Sequence, residues 1–124
     1  METRDHIFFG CNYSRTLWKQ ILLLCGIRRE VGNWEEELRW AVRKIKGKSL
    51  ISIILSTAWK AFIYHVSRER HKRMHSKPSS SAMQILEQIK KEISIRLAGI
   101  KRAAVDDVNI MLKENWGLLI DICV

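Results

Sequence analysis

The feature that most constrains the fold is the run of residues 49–75, which predicts a single long helix. Residues 50–66 are apolar around much of the helix circumference, as in the buried central helix of a bundle. A membrane span would need about 20 apolar residues, whereas this stretch is shorter and includes Ser52, Ser56, Thr57 and Lys60. We therefore expect the core of a helical bundle here and consider a membrane partner unlikely.

Two helix starts carry a recognisable capping pattern. Asn33 is followed three positions later by Glu36, and Ser81 in the same way by Gln84. In such a capping box each side chain of the pair binds the backbone amide of the other residue. The pattern predicts one helix that opens at Asn33 and another that opens at Ser81, separated by the long helix.

Further helices are predicted at both ends of the chain. Apolar residues at helical spacing indicate a helix over residues 14–25, with Ser14 as its N-cap and Gly26 as its end. A short last helix is predicted over residues 107–115. Only one proline and six glycines occur among 124 residues, which leaves little for turns. The fold class that follows is all-α, a small bundle of four to five helices over residues 14–117 with an apolar tail over 118–124.

The net charge narrows the class of partner. A formal charge of +9 is large for this length and suggests an anionic partner, with nucleic acid ahead of a membrane surface. A solvated basic surface without a partner is the alternative, and charge alone does not separate the two. The three cysteines show no paired spacing and no apolar leader precedes them, so we expect an intracellular protein of the nucleus or cytoplasm, not a secreted one.

The most basic part of the long helix is the best candidate for a nucleic-acid contact. Its cations are Arg68, Arg70, Lys72, Arg73 and Lys77. They would bind phosphates of RNA or DNA without reading the base sequence. A merely exposed helix end is the competing interpretation. Of the five tryptophans, only Trp34 and Trp116, near helix ends, are expected to be exposed enough to stack on bases; the others are expected in the core.

A histidine and a cysteine near the N-terminus have the chemistry of metal ligands. His6 and Cys11 are separated by four residues, and this gap allows both side chains to reach one zinc ion. A structural zinc site needs four protein ligands. Only His65, His71, His75, Cys25, Cys123 or a second copy of the chain could supply the other two, so we expect His6 to be a surface histidine and Cys11 a half-buried thiol.

The surrounding residues resemble a known family. Glu2, Thr3, His6, Phe8, Cys11, Ser14 and Trp18 match the motif Glu-Thr-x-x-His-Leu-Phe-x-x-Cys-x-x-Ser-x-x-x-Trp, with Ile7 in place of leucine. This motif is similar to the reverse-transcriptase zinc-binding domain of plant non-LTR (LINE-type) retrotransposons. A second family segment, Trp-x-Glu-Arg-Asn-x-Arg, is matched at Glu69, Arg70 and Arg73. Ser67 and His71 depart from it.

The resemblance implies half of a zinc site and an accessory role. In the family a Cys-x-x-Cys precedes the motif, and this chain begins where the spacer would lie. Residues 1–13 would then be a partial zinc knuckle whose ligands include His6 and Cys11. Zinc is expected in a longer product, and none is expected for this chain alone. The family's role would be to help the polymerase portion of the parent element hold template RNA or target DNA.

No pattern of catalytic residues points to an enzyme. Asp106-Asp107 lacks the aromatic residue that precedes the paired aspartates of a polymerase, and an aspartate at a helix N-terminus accounts for it better. We expect a non-catalytic, nucleic-acid-binding fragment. Two alternatives remain: a truncated, transposon-derived remnant without a selected activity, and a helical protein-interaction or membrane-associated module.

Overall fold

A computed structural model of the chain describes residues 8–9, 11–75, 77–78, 80–99, 102–104, 106–118 and 121–123. These residues form a small bundle of α-helices, so the predicted all-α fold class is confirmed. The elements in chain order are α1 (Asn12–Leu24), α2 (Trp34–Ile45), α3 (Leu50–Met74), α4 (Ala82–Arg96) with a 3₁₀ turn (Leu97–Gly99), β1 (Arg102–Ala104), α5 (Asp107–Trp116) and β2 (Asp121–Cys123).

Both predicted capping boxes are present. Asn33 accepts a hydrogen bond from the amide of Glu36 at 3.0 Å, and the Glu36 carboxylate accepts one from the Asn33 amide at 3.1 Å. Ser81 and Gln84 exchange the equivalent bonds at 3.2 and 2.8 Å. These bonds satisfy amides that have no partner within the helix. The predicted starts of α2 and α4 are therefore confirmed.

The predicted start of α1 is wrong by a short distance. The helix begins at Asn12, with Cys11 at the N-cap position and no side-chain cap bond. Ser14 lies inside the first turn and is buried. Phe8 and Phe9, just before the helix, are also buried. Because their packing fixes the chain before α1, tertiary contacts override the capping preference of Ser14.

Helix α3 is the centre of the bundle. It packs against α2 and α4, and α1 packs mainly against α4. Its inward face carries Ile54, Ala58 and Phe62, all fully buried. α3 is also long and apolar enough to cross a membrane, with a mean hydropathy of 1.3 over its most apolar window, of which 50% is buried. Since the core helix of a soluble protein meets the same criteria, this feature is weak evidence for a span.

An aromatic cluster fills the space between α1, α2 and α3. Its members are Phe8, Phe9, Trp18, Trp34, Trp59 and Phe62. The ring centroids of Phe8 and Trp34 are 5.1 Å apart, and those of Trp18 and Trp59 are also 5.1 Å apart with an edge-on geometry. Such tilted and edge-on pairs suit the charge distribution of aromatic rings. The N-terminal pair of phenylalanines thus belongs to the core of the bundle.

The segment that follows α5 forms a short strand, and this strand pairs with the one before α5. β1 and β2 pair in parallel, with Ala103 opposite Ile122. Parallel strands need a crossover connection, and α5 supplies it. Leu118, at the start of the predicted apolar tail, is buried in the core.

Candidate nucleic-acid interface

The residues that carry the N-terminal motif are mostly core residues where the structure describes them. Phe8, Ser14 and Trp18 are buried, and Trp18 is fully inaccessible. Cys11 is half-buried at the start of α1, as expected. His6 lies outside the described residues. Packing alone therefore explains the apolar positions of the motif.

Two charged side chains hold the segments around this core. The guanidinium of Arg15 donates to the carbonyl of Phe9 at 3.1 Å and to that of Val31 at 2.6 Å. The carboxylate of Glu37 is fully buried and accepts from the Trp18 indole at 2.9 Å. It also pairs with Arg29. These bonds fix the N-terminal segment and the α1–α2 connection against the bundle.

The described residues do not provide a four-ligand metal site. Among them, no group of three or more His, Cys, Asp or Glu side chains could hold a metal ion. His65 is buried, with its Nε2 2.8 Å from Glu92 Oε1. Burial raises the pKa of the Cys25 thiol to about 12, and the neighbouring Trp116 indole offsets only part of this effect. Cys25 itself is 2% exposed and lies in the hydrophobic core.

His71 and His75 form a pair of adjacent rings near the end of α3. Their ring centroids are 4.4 Å apart, and both side chains are exposed. Two histidines one helical turn apart are two ligands, fewer than a structural zinc site requires. The arrangement does not fit a structural zinc ion.

The basic segment does not form one continuous surface. At about 100° per residue, Arg68 and Lys72 lie about 40° apart on α3, whereas Arg70 lies about 200° from Arg68. Arg68 and Arg73 are exposed, and Arg70 and Lys72 are partly exposed. Arg73 lies over the ring of Tyr13, with 4.6 Å between its Cζ and the ring centroid.

Lys77 follows the end of α3, and its backbone lies next to that of Lys72. Its side chain is exposed, and its backbone amide donates to the carbonyl of Lys72 at 2.8 Å. Lys72 itself lies 3.6 Å from the buried carboxylate of Glu69. Part of its charge is thus balanced within the protein. Of the predicted residues, Arg68 and Lys72 lie one helical turn apart on α3, and the backbone of Lys77 lies next to that of Lys72.

A groove along the outward face of α3 was not predicted from the sequence. It has a volume of about 560 Å³ and lies between α3, the end of α2 at Ile45 and the end of α4. Lys60 and Arg96 supply cations, Tyr64 an aromatic ring and Glu92 a carboxylate. The positions of Lys60, Tyr64 and Arg68, four residues apart, were the available signal. Nothing in the sequence indicated that α4 would bring Arg96 beside them.

The aromatic side chain that is exposed is Tyr64, and not Trp34 or Trp116 as expected. Trp116 is 1% exposed, so the prediction of an exposed Trp116 is wrong. The side chains of Trp116 and Leu118, on either side of the exposed Gly117, both lie in the core. Trp34 is partly buried in the aromatic cluster. Tyr64, by contrast, is 57% exposed.

Comparisons of the chain with protein-family models, with curated proteins and with solved structures return no match.

Proposed function

We propose that this chain is a non-catalytic accessory module that binds RNA or DNA through phosphate contacts. The observation that carries the proposal is the group of cations at the end of α3 and just after it: Arg68 and Lys77, which are exposed, and Lys72, which is partly exposed. Phosphate contacts of this kind are independent of base sequence and release counterions from the nucleic acid. The affinity is therefore modest and strongly dependent on salt.

The charge of the molecule as a whole supports the same class of partner. The net charge of +9 is contributed in part by a second group of exposed cations around the end of α2. These are Arg43, Lys44, Lys46 and Lys48. The two groups lie near opposite ends of α3, and each attracts a polyanion within about a Debye length, about 8 Å at physiological salt. Both groups can contribute to the encounter with a nucleic acid.

The resemblance of residues 2–18 to the zinc-binding region of LINE-type reverse transcriptases suggests a biological setting. In that setting the module would assist the polymerase portion of a retrotransposon in holding template RNA or target DNA. The proposed contact uses the side chains of Arg68, Lys72 and Lys77 and requires no zinc ion. The proposal for nucleic-acid binding stands on the charge pattern alone.

A pair of charge-matched double variants tests the proposal. Binding of a fluorescently labelled RNA and of a DNA duplex is measured by anisotropy between about 50 and 200 mM salt. Arg68→Gln with Lys77→Gln should weaken binding severalfold and make the salt slope shallower by about 1 to 2. The control, Lys19→Gln with Arg28→Gln, removes the same charge from exposed positions of α1 and the following connection. It should change the slope less.

Two results would contradict the proposal. Wild-type protein that binds neither RNA nor DNA at the lowest salt excludes a nucleic-acid module. Equal losses in the two double variants would show that binding depends on overall charge and not on the group of cations at the end of α3.

A further inference from the structure

We propose that the groove along α3 binds a single strand of nucleic acid, with one base stacked on Tyr64 and the neighbouring phosphates at Lys60 and Arg96. The proposal rests on the proposed function and specifies where, and in which form, the nucleic acid is held. It follows from four properties of the groove: the line of side chains on α3, the support of the aromatic ring, the charges at the groove and its shape.

The outward face of α3 carries alternating cationic and aromatic side chains. Lys60, Tyr64 and Arg68 are spaced four residues apart, so they lie within about 80° of one another on the helix. All three are exposed. Lys60 and Tyr64 lie on the side of α3 away from the buried Ala58 and Phe62, and Arg68 lies toward the flank of the helix. One strand could therefore pass from the groove at Lys60 to the cations at the end of α3 without crossing the helix.

The ring of Tyr64 is presented on a rigid support. It packs edge-on against the ring of His65, with 5.1 Å between the centroids. His65 is buried and is held by Glu92 at 2.8 Å from the neighbouring helix α4. An aromatic ring that is fixed before binding loses little conformational entropy when a base stacks on it. The exposed face of Tyr64 is thus suited to act as a stacking platform.

The charges of the groove favour an anion at two positions. Lys60 and Arg96 are exposed cations that belong to different helices, α3 and α4. Glu92 is the opposing charge, with a side chain that is 47% exposed, and it is engaged by His65. Phosphates are therefore expected beside Lys60 and Arg96 and away from Glu92. Ser56 and Thr57 add hydroxyl groups to the wall of the groove.

The shape of the groove favours a single strand over a duplex. A volume of about 560 Å³ lies in the range of pockets that enclose a small ligand, and the wall includes the apolar Ile45, Ile53 and Ala61. Bases in a duplex are stacked on one another and cannot offer a face to Tyr64. An unpaired base can enter the groove and stack there, with little dependence on which base it is.

The test compares an unstructured oligouridylate with an RNA duplex of the same length. Tyr64→Leu keeps an apolar side chain but removes the ring, and Tyr64→Phe keeps the ring. We expect Tyr64→Leu to weaken binding of the oligouridylate by about tenfold to a hundredfold, with the salt slope and duplex binding unchanged. Tyr64→Phe should bind as wild type. Lys60→Gln with Arg96→Gln should make the single-strand slope shallower by about 1.4.

The outcomes separate this proposal from the proposed function. If wild-type protein binds both RNAs and Tyr64→Leu changes neither, or changes both equally, the stacking site is wrong while the phosphate-binding module remains. If wild-type protein binds neither RNA, the single-strand proposal fails, and the proposed function fails with it if DNA is not bound either. Heparin, a polyanion without bases, provides a further check: a loss of heparin binding in Tyr64→Leu as large as the loss for oligouridylate would overturn the stacking role. The thermal midpoint of each variant establishes that it is folded.

Discussion

At the scale of single residues, the buried carboxylate of Glu37 joins three separate groups in the core through hydrogen bonds. Glu37 lies on the apolar side of α2 between Trp34 and Trp40, and its side chain is fully buried. One carboxylate oxygen accepts from Trp18 and pairs with Arg29, and the other accepts from the amide of Gly32 at 3.0 Å. A buried carboxylate is tolerated only with such partners. A glutamate inside an apolar stripe is the sequence signal for this arrangement.

Replacement of Glu37 by alanine should strongly destabilise the protein. The change leaves the Trp18 indole and the charge of Arg29 without their partner, and loss of one member of a buried pair costs about 3 to 5 kcal/mol. Chemical denaturation followed by tryptophan fluorescence measures the free energy of unfolding. Glu35→Ala, on the exposed side of the same helix, should change it by less than about 0.5 kcal/mol. Similar effects of the two substitutions would refute the role of Glu37.

At the scale of elements, the connection between α3 and α4 is fixed by a buried carboxylate. Glu69 of α3 accepts a hydrogen bond from the amide of Ser80 at 2.8 Å. The hydroxyl of Tyr13 in α1 donates to the carbonyl of the same residue at 3.1 Å. Burial raises the pKa of Glu69, but the bonds from Ser80 and the nearby Lys72 outweigh it and lower the pKa below the ordinary value of 4.5. Tyr13 of α1 and Glu69 of α3 thus both bind Ser80, the loop residue just before the N-cap of α4.

The lowered pKa of Glu69 predicts a loss of stability in acid. Because the folded protein favours the carboxylate, its contribution is complete above pH 4.5 and is lost as the pH falls through the lower pKa of the folded state. We expect the difference in urea midpoint between wild type and Glu69→Gln to shrink as the pH falls below 4.5. Measuring both proteins across this range cancels the titration of the other carboxylates. A difference that is constant or grows in acid would contradict the expectation.

At the scale of the whole molecule, the N-terminal segment and the bundle share one core. Phe9 is 2% exposed and packs against Phe62 of the central helix, with 5.7 Å between the ring centroids. By sequence, Phe9 belongs to the segment 1–13, which resembles part of a zinc knuckle. Its contacts instead make it part of the helical domain. The segment is held further by Arg15, which binds the carbonyl of Phe9.

Truncation of Phe9 should therefore reduce the stability of the entire bundle. Phe9→Ala removes a buried ring between α1 and α3, and such a change typically costs about 3 to 5 kcal/mol. The free energy of unfolding from urea denaturation measures the effect. Ile95→Ala serves as the control, since Ile95 is 76% exposed, and it should change stability by less than about 0.5 kcal/mol. If Phe9→Ala had no larger effect than the control, the N-terminal segment would not belong to the core.

The helix starts were the most predictable part of the fold. Asn33 and Ser81 cap their helices through hydrogen bonds to residues three positions away. Because these bonds involve neighbouring residues, the helix starts can be predicted from the sequence. Ser14 has an equally good capping side chain but is buried within α1. The position of Ser14 inside the helix follows from the packing of Phe8 and Phe9 before α1, and no local sequence pattern reveals this packing. The burial of Trp116, which was expected to be exposed, is likewise a result of tertiary packing.

The candidate site was predictable only in part. Arg68, Arg70, Lys72, Arg73 and Lys77 were all singled out from their charge, and the helical spacing of about 100° per residue already directs Arg70 and Arg73 away from Arg68. The sequence by itself determined the class of fold and the basic character of the molecule, because capping, helical periodicity and charge are properties of neighbouring residues. Only the tertiary structure decided that Arg96 and Tyr64 line the same groove, because this arrangement arises from packing between helices far apart in the chain.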